Sequence, residues 1–196
     1  YREYDATIYT FSIKRRTTQN GVDWSDVEII FDYDTSVSDM VSPAVIFEDG
    51  KYKLWYVRQV QIYYSETVGD DITQWTPQTL CAIDWVTPNL RPWHLDVIHT
   101  DKGYEFAVQA YKRGLDNNSS DLWYVLEDSS GYSLPVLIIE RGDLESDIDY
   151  QGIYRSSLLV VDGIYSIYYS GIAKSTFRAL YLSKGRDVTR LRGVNI

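Results

Sequence analysis

Three segments of this chain repeat one layout, and the repeat limits the fold more than any other feature of the sequence. Residues 42–57, 94–111 and 155–170 each read as an alternating apolar strand, a short turn and a second strand. The turns are Asp49-Gly50, Asp101-Lys102-Gly103 and Asp162-Gly163. Asp-Gly between two apolar runs is the strongest short-range hairpin signal, because both central positions of the tight turn require a positive φ. The sequence therefore predicts three equivalent β-hairpins.

Shorter segments follow each hairpin in the same order and complete a four-stranded unit. A third strand is predicted at residues 61–65, 122–126 and 178–183, and a fourth at 78–83 and 135–139. The N-terminal residues carry only the second half of the unit, at 8–13 and 27–31. Antiparallel four-stranded units repeated around an axis form a β-propeller, so we predict an all-β propeller. A β-sandwich also has short strands, but it does not explain a hairpin at the same place in every unit.

We expect one propeller domain, with a half blade at residues 1–34 and full blades at 35–86, 87–143 and 144–196. Propellers have roughly four to eight blades, so three and a half do not close a ring comfortably. We therefore expect further sequence upstream of Tyr1, with one degenerate blade as the alternative.

Charge and composition argue against several classes of partner. The formal net charge is −9, whereas nucleic-acid binding requires concentrated Lys and Arg. No apolar run approaches the length of a membrane helix, and the N-terminus has no signal-peptide pattern, so we expect no membrane insertion. The lone Cys81 excludes an internal disulfide and a Cys-rich metal site. His94 and His99 lie five residues apart in one predicted strand, hence on opposite faces, so we expect no metal site and no cofactor.

The starts of the innermost strands are the candidate ligand site, because in a propeller these starts converge on one mouth of the central channel. The first aligned column holds Ser42, His94 and Arg155, and the column two positions later holds Ala44, Asp96 and Ser157. Nearby loop residues would rim the same mouth: Asp34, Ser38, Asp39, Arg91, Trp93, Asp149, Tyr150, Gln151 and Tyr154. The residues predicted to bind a ligand are Ser42, Trp93, His94, Asp96, Tyr154 and Arg155.

Several of these residues also have a purely structural interpretation. His94 is either a ligand contact or a solvated or hydrogen-bonded side chain. Asp96 is either a ligand contact, the partner of Arg91 or Arg155, or the cap of a neighbouring loop. Trp93 either stacks on a sugar or packs between blades. Trp24 and Trp75 occupy the same turn position in different blades and are expected to be structural plugs.

Two resemblances carry the functional prediction. The segment SPAVIFEDGKYKLWYV, in blades that open on a polar-Pro or polar-Asp pair, resembles the five-bladed propellers of glycoside hydrolase families 43 and 32. The segment PWHLDVIHTDKGYEFAVQAY, with its loosely repeated blades, is more similar to the propeller (platform) domains of bacteriophage receptor-binding tail proteins. Both likenesses cover the whole chain at the level of fold, and they imply a ring of five blades.

The tail-protein resemblance implies a non-catalytic propeller that binds a cell-surface or cell-wall glycan, or a polyol phosphate, during host cell attachment. It also implies a location in the virion tail or outside the cell, and a homotrimer.

A glycoside hydrolase acting on a plant or microbial polysaccharide is the alternative. Glycoside hydrolysis uses two carboxyl groups about 5–10 Å apart, and the hydrolase families imply carboxylates near the starts of three successive inner strands. The first aligned column has none in this sequence. Asp96 and Asp39 are the candidate acid and base, and Asp149 is a further carboxylate on the rim.

Overall fold

The computed structural model describes residues 2–5, 10–34, 40–116, 118–144, 149–173 and 178–194 of the chain. These residues form four sheets, in which every pair of neighbouring strands is antiparallel. The architecture is the predicted all-β propeller.

The sheets follow one another along the chain. The first contains β1 (Arg2–Asp5), β2 (Thr10–Arg15) and β3 (Glu28–Asp34). The second contains β4 (Met40–Glu48), β5 (Lys51–Arg58), β6 (Gln61–Val68) and β7 (Asp71–Trp75), with β8 (Thr79–Leu80) also paired to β6. The third contains β9 (Leu90–Thr100), β10 (Gly103–Lys112), β11 (Ser120–Asp128) and β12 (Gly131–Tyr132), with β13 (Val136–Ile139) also paired to β11. The fourth contains β14 (Gly152–Val161), β15 (Ile164–Ile172), β16 (Arg178–Gly185) and β17 (Arg192–Val194).

The helical content is a single turn of 3₁₀-helix at Val188–Arg190 in the part of the chain that the structure describes. No helix there is long and apolar enough to cross a lipid bilayer.

Two of the three hairpins turn as the sequence predicts. Asp49 and Gly50 have φ values of 51° and 72°, and Asp162 and Gly163 have 51° and 70°. The hairpin at Asp101 is different, because its ladder closes between Thr100 and Gly103. A Cβ on Gly103 would lie 2.1 Å from the backbone oxygen of Glu127. This glycine therefore allows close approach of the neighbouring strand, rather than forming the centre of the turn.

The first sheet differs from the prediction. It has three strands, one more than the two expected there, because β1 adds to β2.

The two tryptophans predicted to be structural plugs have different environments. Trp75 is a structural plug as predicted, since its indole nitrogen donates to the Ile30 carbonyl at 2.6 Å and its ring packs edge-on against Phe31. The same prediction is wrong for Trp24, whose side chain is 52% exposed.

The sheets stack face to face, and a hydrophobic core fills each gap between successive sheets. Ile13 and Ile30 of the first sheet pack with Leu54 and Tyr56 of the second. Trp55 of the second sheet packs with Phe106 of the third in the next core. A third core joins the third and fourth sheets, with members Leu122, Tyr124, Ile153, Leu158 and Ile167. The inner strand β9 lies between β4 and β14, so the three strand starts named above are neighbours in space.

Candidate functional site

Each full blade has a β-bulge near the start of its inner strand. The ladder skips Ser42 and Pro43 between Val41 and Ala44 in β4, Trp93 in β9 and Arg155 in β14. Ser42 and Arg155 have φ values of 54° and 49°, a left-handed conformation that is uncommon for residues other than glycine. Bulges redirect side chains and are frequent next to binding sites. The bulge recurs at the mouth of all three blades, which is where the sequence places the candidate residues.

His94 lies at the centre of the converging side chains. It is 4% exposed, and its Nδ1 forms a hydrogen bond with the Ser42 hydroxyl of the preceding blade. The ring of Tyr154, from the following blade, stands edge-on to the imidazole at a centroid distance of 4.9 Å. Trp93 contacts the imidazole from the side, at 5.9 Å. Side chains from three successive blades thus form one contact chain, which we call the His94 cluster (Ser42, Trp93, His94, Tyr154).

Arg155 is the exposed cation beside this cluster. Its guanidinium carbon lies 5.5 Å from the centre of the Tyr154 ring, while its backbone amide donates to the side-chain oxygen of Gln109 at 3.3 Å. The bulge therefore holds the Arg155 backbone against the blade behind it and leaves the charged group at the surface, where it is available to a ligand.

Gln109 is a positioning residue that the sequence analysis missed. It is fully buried, and its amide nitrogen donates to Ser120 Oγ at 2.6 Å. Ser120 in turn donates to the Ile153 carbonyl in the next blade, at 2.7 Å. The sequence does contain a signal for this role, namely a glutamine inside the apolar run Phe106–Tyr111. A side-chain amide buried there requires hydrogen-bond partners.

Asp96 ties its blade to the next one. Its carboxylate accepts a hydrogen bond from the Leu158 backbone amide at 2.8 Å and another from the Ser157 side chain. Burial raises the pKa of this carboxyl group above its ordinary value, and the hydrogen bonds from Leu158 and Ser157 oppose that effect. Within the described part of the chain these hydrogen bonds come from the next blade, rather than from Arg91 or Arg155.

The other carboxylates considered for catalysis do not join the His94 cluster in the described residues. Asp39 and Ser38 lie outside these residues, and so does the side chain of Asp34. Asp149 accepts a hydrogen bond from the Gly142 amide at 3.0 Å, which places it in the connection between the third and fourth sheets.

The two histidines serve different contacts at opposite ends of β9. His99 lies near the hairpin turn, where its Nδ1 is 2.6 Å from a carboxylate oxygen of Glu48 and its ring stacks on Tyr104. Among the described residues, no group of three or more His, Cys, Asp or Glu side chains is arranged to hold a metal ion.

A buried carboxylate at the turn end of the blades was also missed. Glu105 is fully buried and accepts hydrogen bonds from the hydroxyls of Thr100, Tyr124 and Tyr165 at 2.5–2.8 Å. Tyr165 comes from the next blade, so this cluster joins the third and fourth sheets at the end opposite to His94. Glu105 lies away from the mouth, and its carboxylate oxygens are already hydrogen-bonded. We therefore interpret Glu105 as a structural residue.

The comparisons with known proteins find similarity in structure and none in sequence. Neither a protein-family model nor a curated protein matches the chain by sequence. A family 117 glycoside hydrolase of the marine bacterium Zobellia galactanivorans superposes with a TM-score of 0.69 at 15% identity, over 98% of this chain and 63% of that one. An α-L-arabinofuranosidase from Lactobacillus brevis gives 0.69 at 14% identity, over 98% and 70%. An α-L-arabinanase from Penicillium chrysogenum, complexed with arabinobiose, gives 0.62 at 13% identity, over 100% and 58%.

These superpositions establish the fold and no more, because the identities are low. The chain spans about three fifths of the length of the Zobellia and Penicillium enzymes. A family-43 glycoside hydrolase is also among the similar structures, so the predicted resemblance to family 43 is confirmed at the level of fold. The resemblance to phage tail proteins stays a prediction. What this chain shares with its structural neighbours is the β-propeller fold of glycoside hydrolases.

Proposed function

We propose that this propeller binds a carbohydrate at the starts of its inner strands and does not hydrolyse it. The observation that carries the proposal is the His94 cluster, in which side chains from three successive blades meet beside the exposed Arg155. Tyr154 and Trp93 offer apolar ring faces with polar tips, which suit the alternating faces of a sugar ring. The Arg155 guanidinium supplies charge-assisted hydrogen bonds to hydroxyl or phosphate oxygens.

The site is held in place before any ligand arrives, which favours binding. The Ser42 hydroxyl orients the His94 ring, and Gln109 holds the Arg155 backbone. A ligand pays less conformational entropy when the groups that bind it are already ordered. Rigid support from buried side chains is therefore consistent with a recognition surface.

The ligand class follows from the groups present and from the resemblance to tail proteins. A bacterial cell-surface or cell-wall polysaccharide is the first candidate, and a polyol phosphate polymer is the second because Arg155 is cationic. In the proposed context the protein acts in host cell attachment, in a virion tail or outside the cell, as a homotrimer. Light scattering of the purified chain tests the trimer directly, since a monomer of 22.7 kDa would contradict it.

We place this site in a ring of five blades, with blade boundaries as the sequence predicts. The outer face of the fourth sheet supports a further blade, because Leu159 and Leu180 are 49% and 63% exposed there. Their counterparts in the third sheet, Ile98 and Leu122, pack against the next sheet. An apolar face of this kind is normally covered.

A glycan array with the full chain tests the binding proposal. The array displays neutral, N-acetylated, uronic and phosphorylated oligosaccharides from disaccharide to hexasaccharide. We expect the unmodified chain to bind one series, and Arg155→Ala to weaken that binding by about tenfold, the equivalent of one charged hydrogen bond. Arg190→Ala is the matched control, because that side chain is 85% exposed at the far end of the fourth sheet. Absence of binding, or equal binding by the Arg155 variant, would overturn the proposal.

Glycoside hydrolysis is the second candidate, and two observations favour it. The fold is that of glycoside hydrolases, and burial raises the pKa of Asp96, as a general acid requires. Release of reducing sugar from arabinan or bacterial wall polymers is the assay. We expect none from the unmodified chain; release that Asp96→Asn abolishes would establish the hydrolase and reject binding without catalysis.

A further inference from the structure

A polar cavity opens at the same end of the propeller as the His94 cluster. Its described lining comes from Asp116, Asn118 and Ser119 after β10 and from residues 141–143, 150 and 151 before β14, and it has a volume of about 470 Å³. Ligand sites in proteins commonly have volumes of about 300–1,000 Å³. We call it the rim cavity, and the residues that its argument uses are Asp116, Asn118, Arg141, Asp143, Tyr150 and Gln151.

The rim cavity adjoins the proposed carbohydrate site through a single stretch of chain. Tyr150 and Gln151 line the cavity, and Tyr154 of the His94 cluster follows within the same segment. Four residues span at most about 14 Å even when fully extended. A polymer bound at Tyr154 therefore has further units within reach of Tyr150.

Close backbone packing holds the two walls of the rim cavity together. A Cβ on Gly152 would lie 1.7 Å from the Asn118 carbonyl oxygen, so only glycine allows the two segments to approach this closely. Asp116 accepts hydrogen bonds from the Asn118 and Ser119 amides at 2.9 and 3.1 Å. On the other wall, the Arg141 amide donates to Asp121 at 3.1 Å. The first wall is thus held by hydrogen bonds within its own loop, and the second is fixed to β11 through Asp121.

The groups that line the rim cavity select one class of ligand. Among the described lining residues, the two carboxylates of Asp116 and Asp143 outnumber the one guanidinium, that of Arg141, which disfavours a phosphate or a uronic acid by charge repulsion. Carboxylates accept hydrogen bonds from hydroxyl groups, and the amides of Asn118 and Gln151 both donate and accept. Hydroxyl-rich neutral sugars present both kinds of partner.

We propose that the rim cavity is a second carbohydrate subsite, which holds neutral sugar units of the polymer whose other units bind at the His94 cluster. This inference rests on the proposed function and adds to it. The ligand is then an extended neutral polysaccharide rather than a short or uniformly charged one. Tyr150 provides the ring face, and Arg141 and the two carboxylates contact the hydroxyls.

Binding of short and long oligosaccharides separates the two sites. The probes are the disaccharides and hexasaccharides of the neutral series on the array, measured with the full chain. We expect Tyr150→Ala to weaken hexasaccharide binding by about tenfold and disaccharide binding by less than about twofold. Arg155→Ala weakens both. Asp143→Ala is a second variant, at an exposed side chain whose loss we expect the fold to tolerate, and it should reproduce the length-dependent loss.

Other outcomes would contradict the proposed function, the rim subsite or both. If the unmodified chain binds no oligosaccharide, the proposed function and the rim subsite both fail. If the unmodified chain binds but the Tyr150 and Asp143 variants keep full hexasaccharide affinity, only the rim subsite fails. Equal losses for the disaccharide and the hexasaccharide would make the rim cavity the primary site. Tyr168→Ala, on the outer face of the fourth sheet, controls for loss of a tyrosine elsewhere.

Discussion

The carboxylate of Asp96 lies 2.8 Å from the backbone amide of Leu158, and this hydrogen bond joins the inner strands of two successive blades. Asp96 lies two residues after His94 in β9, and Leu158 lies in β14. Asp96, a catalytic candidate by its position in the sequence, thus joins two blades. Gln109 makes the equivalent connection to Arg155 in the same blade pair, so the candidate site and the blade interface share their supports.

Removing the Asp96 carboxylate should destabilise the protein. Asp96→Ala leaves the amide of the buried Leu158 without its acceptor, and an unsatisfied buried donor costs about 1–3 kcal/mol. We expect the free energy of unfolding in urea to fall by that amount. Asp26→Ala, at an exposed position without a positive φ, is a surface control for loss of an aspartate, and an equal loss in both variants would argue against the inter-blade role.

The pH dependence of stability should carry the signature of Asp96. Its pKa in the folded protein is raised above the ordinary value of 3.8, so the folded state binds the proton more tightly than the unfolded state. The resulting stability is complete below that value and is lost as the pH rises through the raised pKa. Asp96→Asn removes this titration, and the variant should therefore gain stability relative to the unmodified chain as the pH rises.

Urea unfolding of both proteins from about pH 3 to about pH 7 measures this difference. Asp84→Asn is a control of opposite sign, because hydrogen bonds from Thr87 lower the pKa of Asp84. Its stability relative to the unmodified chain should fall over the same range. A difference for Asp96→Asn that does not change with pH would show that the carboxyl group titrates alike in the folded and unfolded states.

The hydroxyl of Tyr124 should contribute measurably to stability through Glu105. It donates to the buried carboxylate at 2.6 Å, and a hydrogen bond to a charged group contributes about 1.5–3 kcal/mol. Tyr124→Phe should reduce the free energy of unfolding by that amount. Tyr181→Phe is the matched control, because the Tyr181 hydroxyl is buried but finds no hydrogen-bond partner among the described residues. We expect its removal to be neutral or slightly stabilising.

Gly152 should tolerate no side chain. A Cβ there would overlap the Asn118 carbonyl oxygen at 1.7 Å, and relief requires the two walls of the rim cavity to separate. We expect Gly152→Ala to cost more than about 3 kcal/mol in thermal or urea unfolding. Gly163 has a φ of 70°, and a Cβ added there meets nothing within 4 Å. Gly163→Ala should therefore cost only about 1–2 kcal/mol of backbone strain. Similar losses for the two variants would mean that the contact with Asn118 is easily relaxed.

The outline of the candidate site could be predicted from sequence because the repeat places equivalent residues at equivalent positions. Ser42 and His94 were aligned by their distance from the hairpin turns, and the two side chains do meet. The support beneath them could not be predicted. Gln109 and Glu105 are polar residues inside apolar strands, and their burial depends on hydrogen bonds both within their own blade and to the next one.

The sequence by itself determined the strands, their antiparallel pairing within each blade and the repeated blade order, because alternating apolar residues and tight turns are local signals. It predicts inner-strand starts at Ser42, His94 and Arg155, and that prediction is wrong by two to four residues, because β4, β9 and β14 begin at Met40, Leu90 and Gly152. Only the tertiary structure decided that Asp96 holds the next blade, that each inner strand bulges at its start, and that two loops enclose the rim cavity. Those outcomes depend on backbone atoms of distant segments, such as the Leu158 amide and the Asn118 carbonyl, and every residue type except proline presents the same backbone groups. The pattern of apolar and polar side chains along the sequence therefore does not predict these contacts.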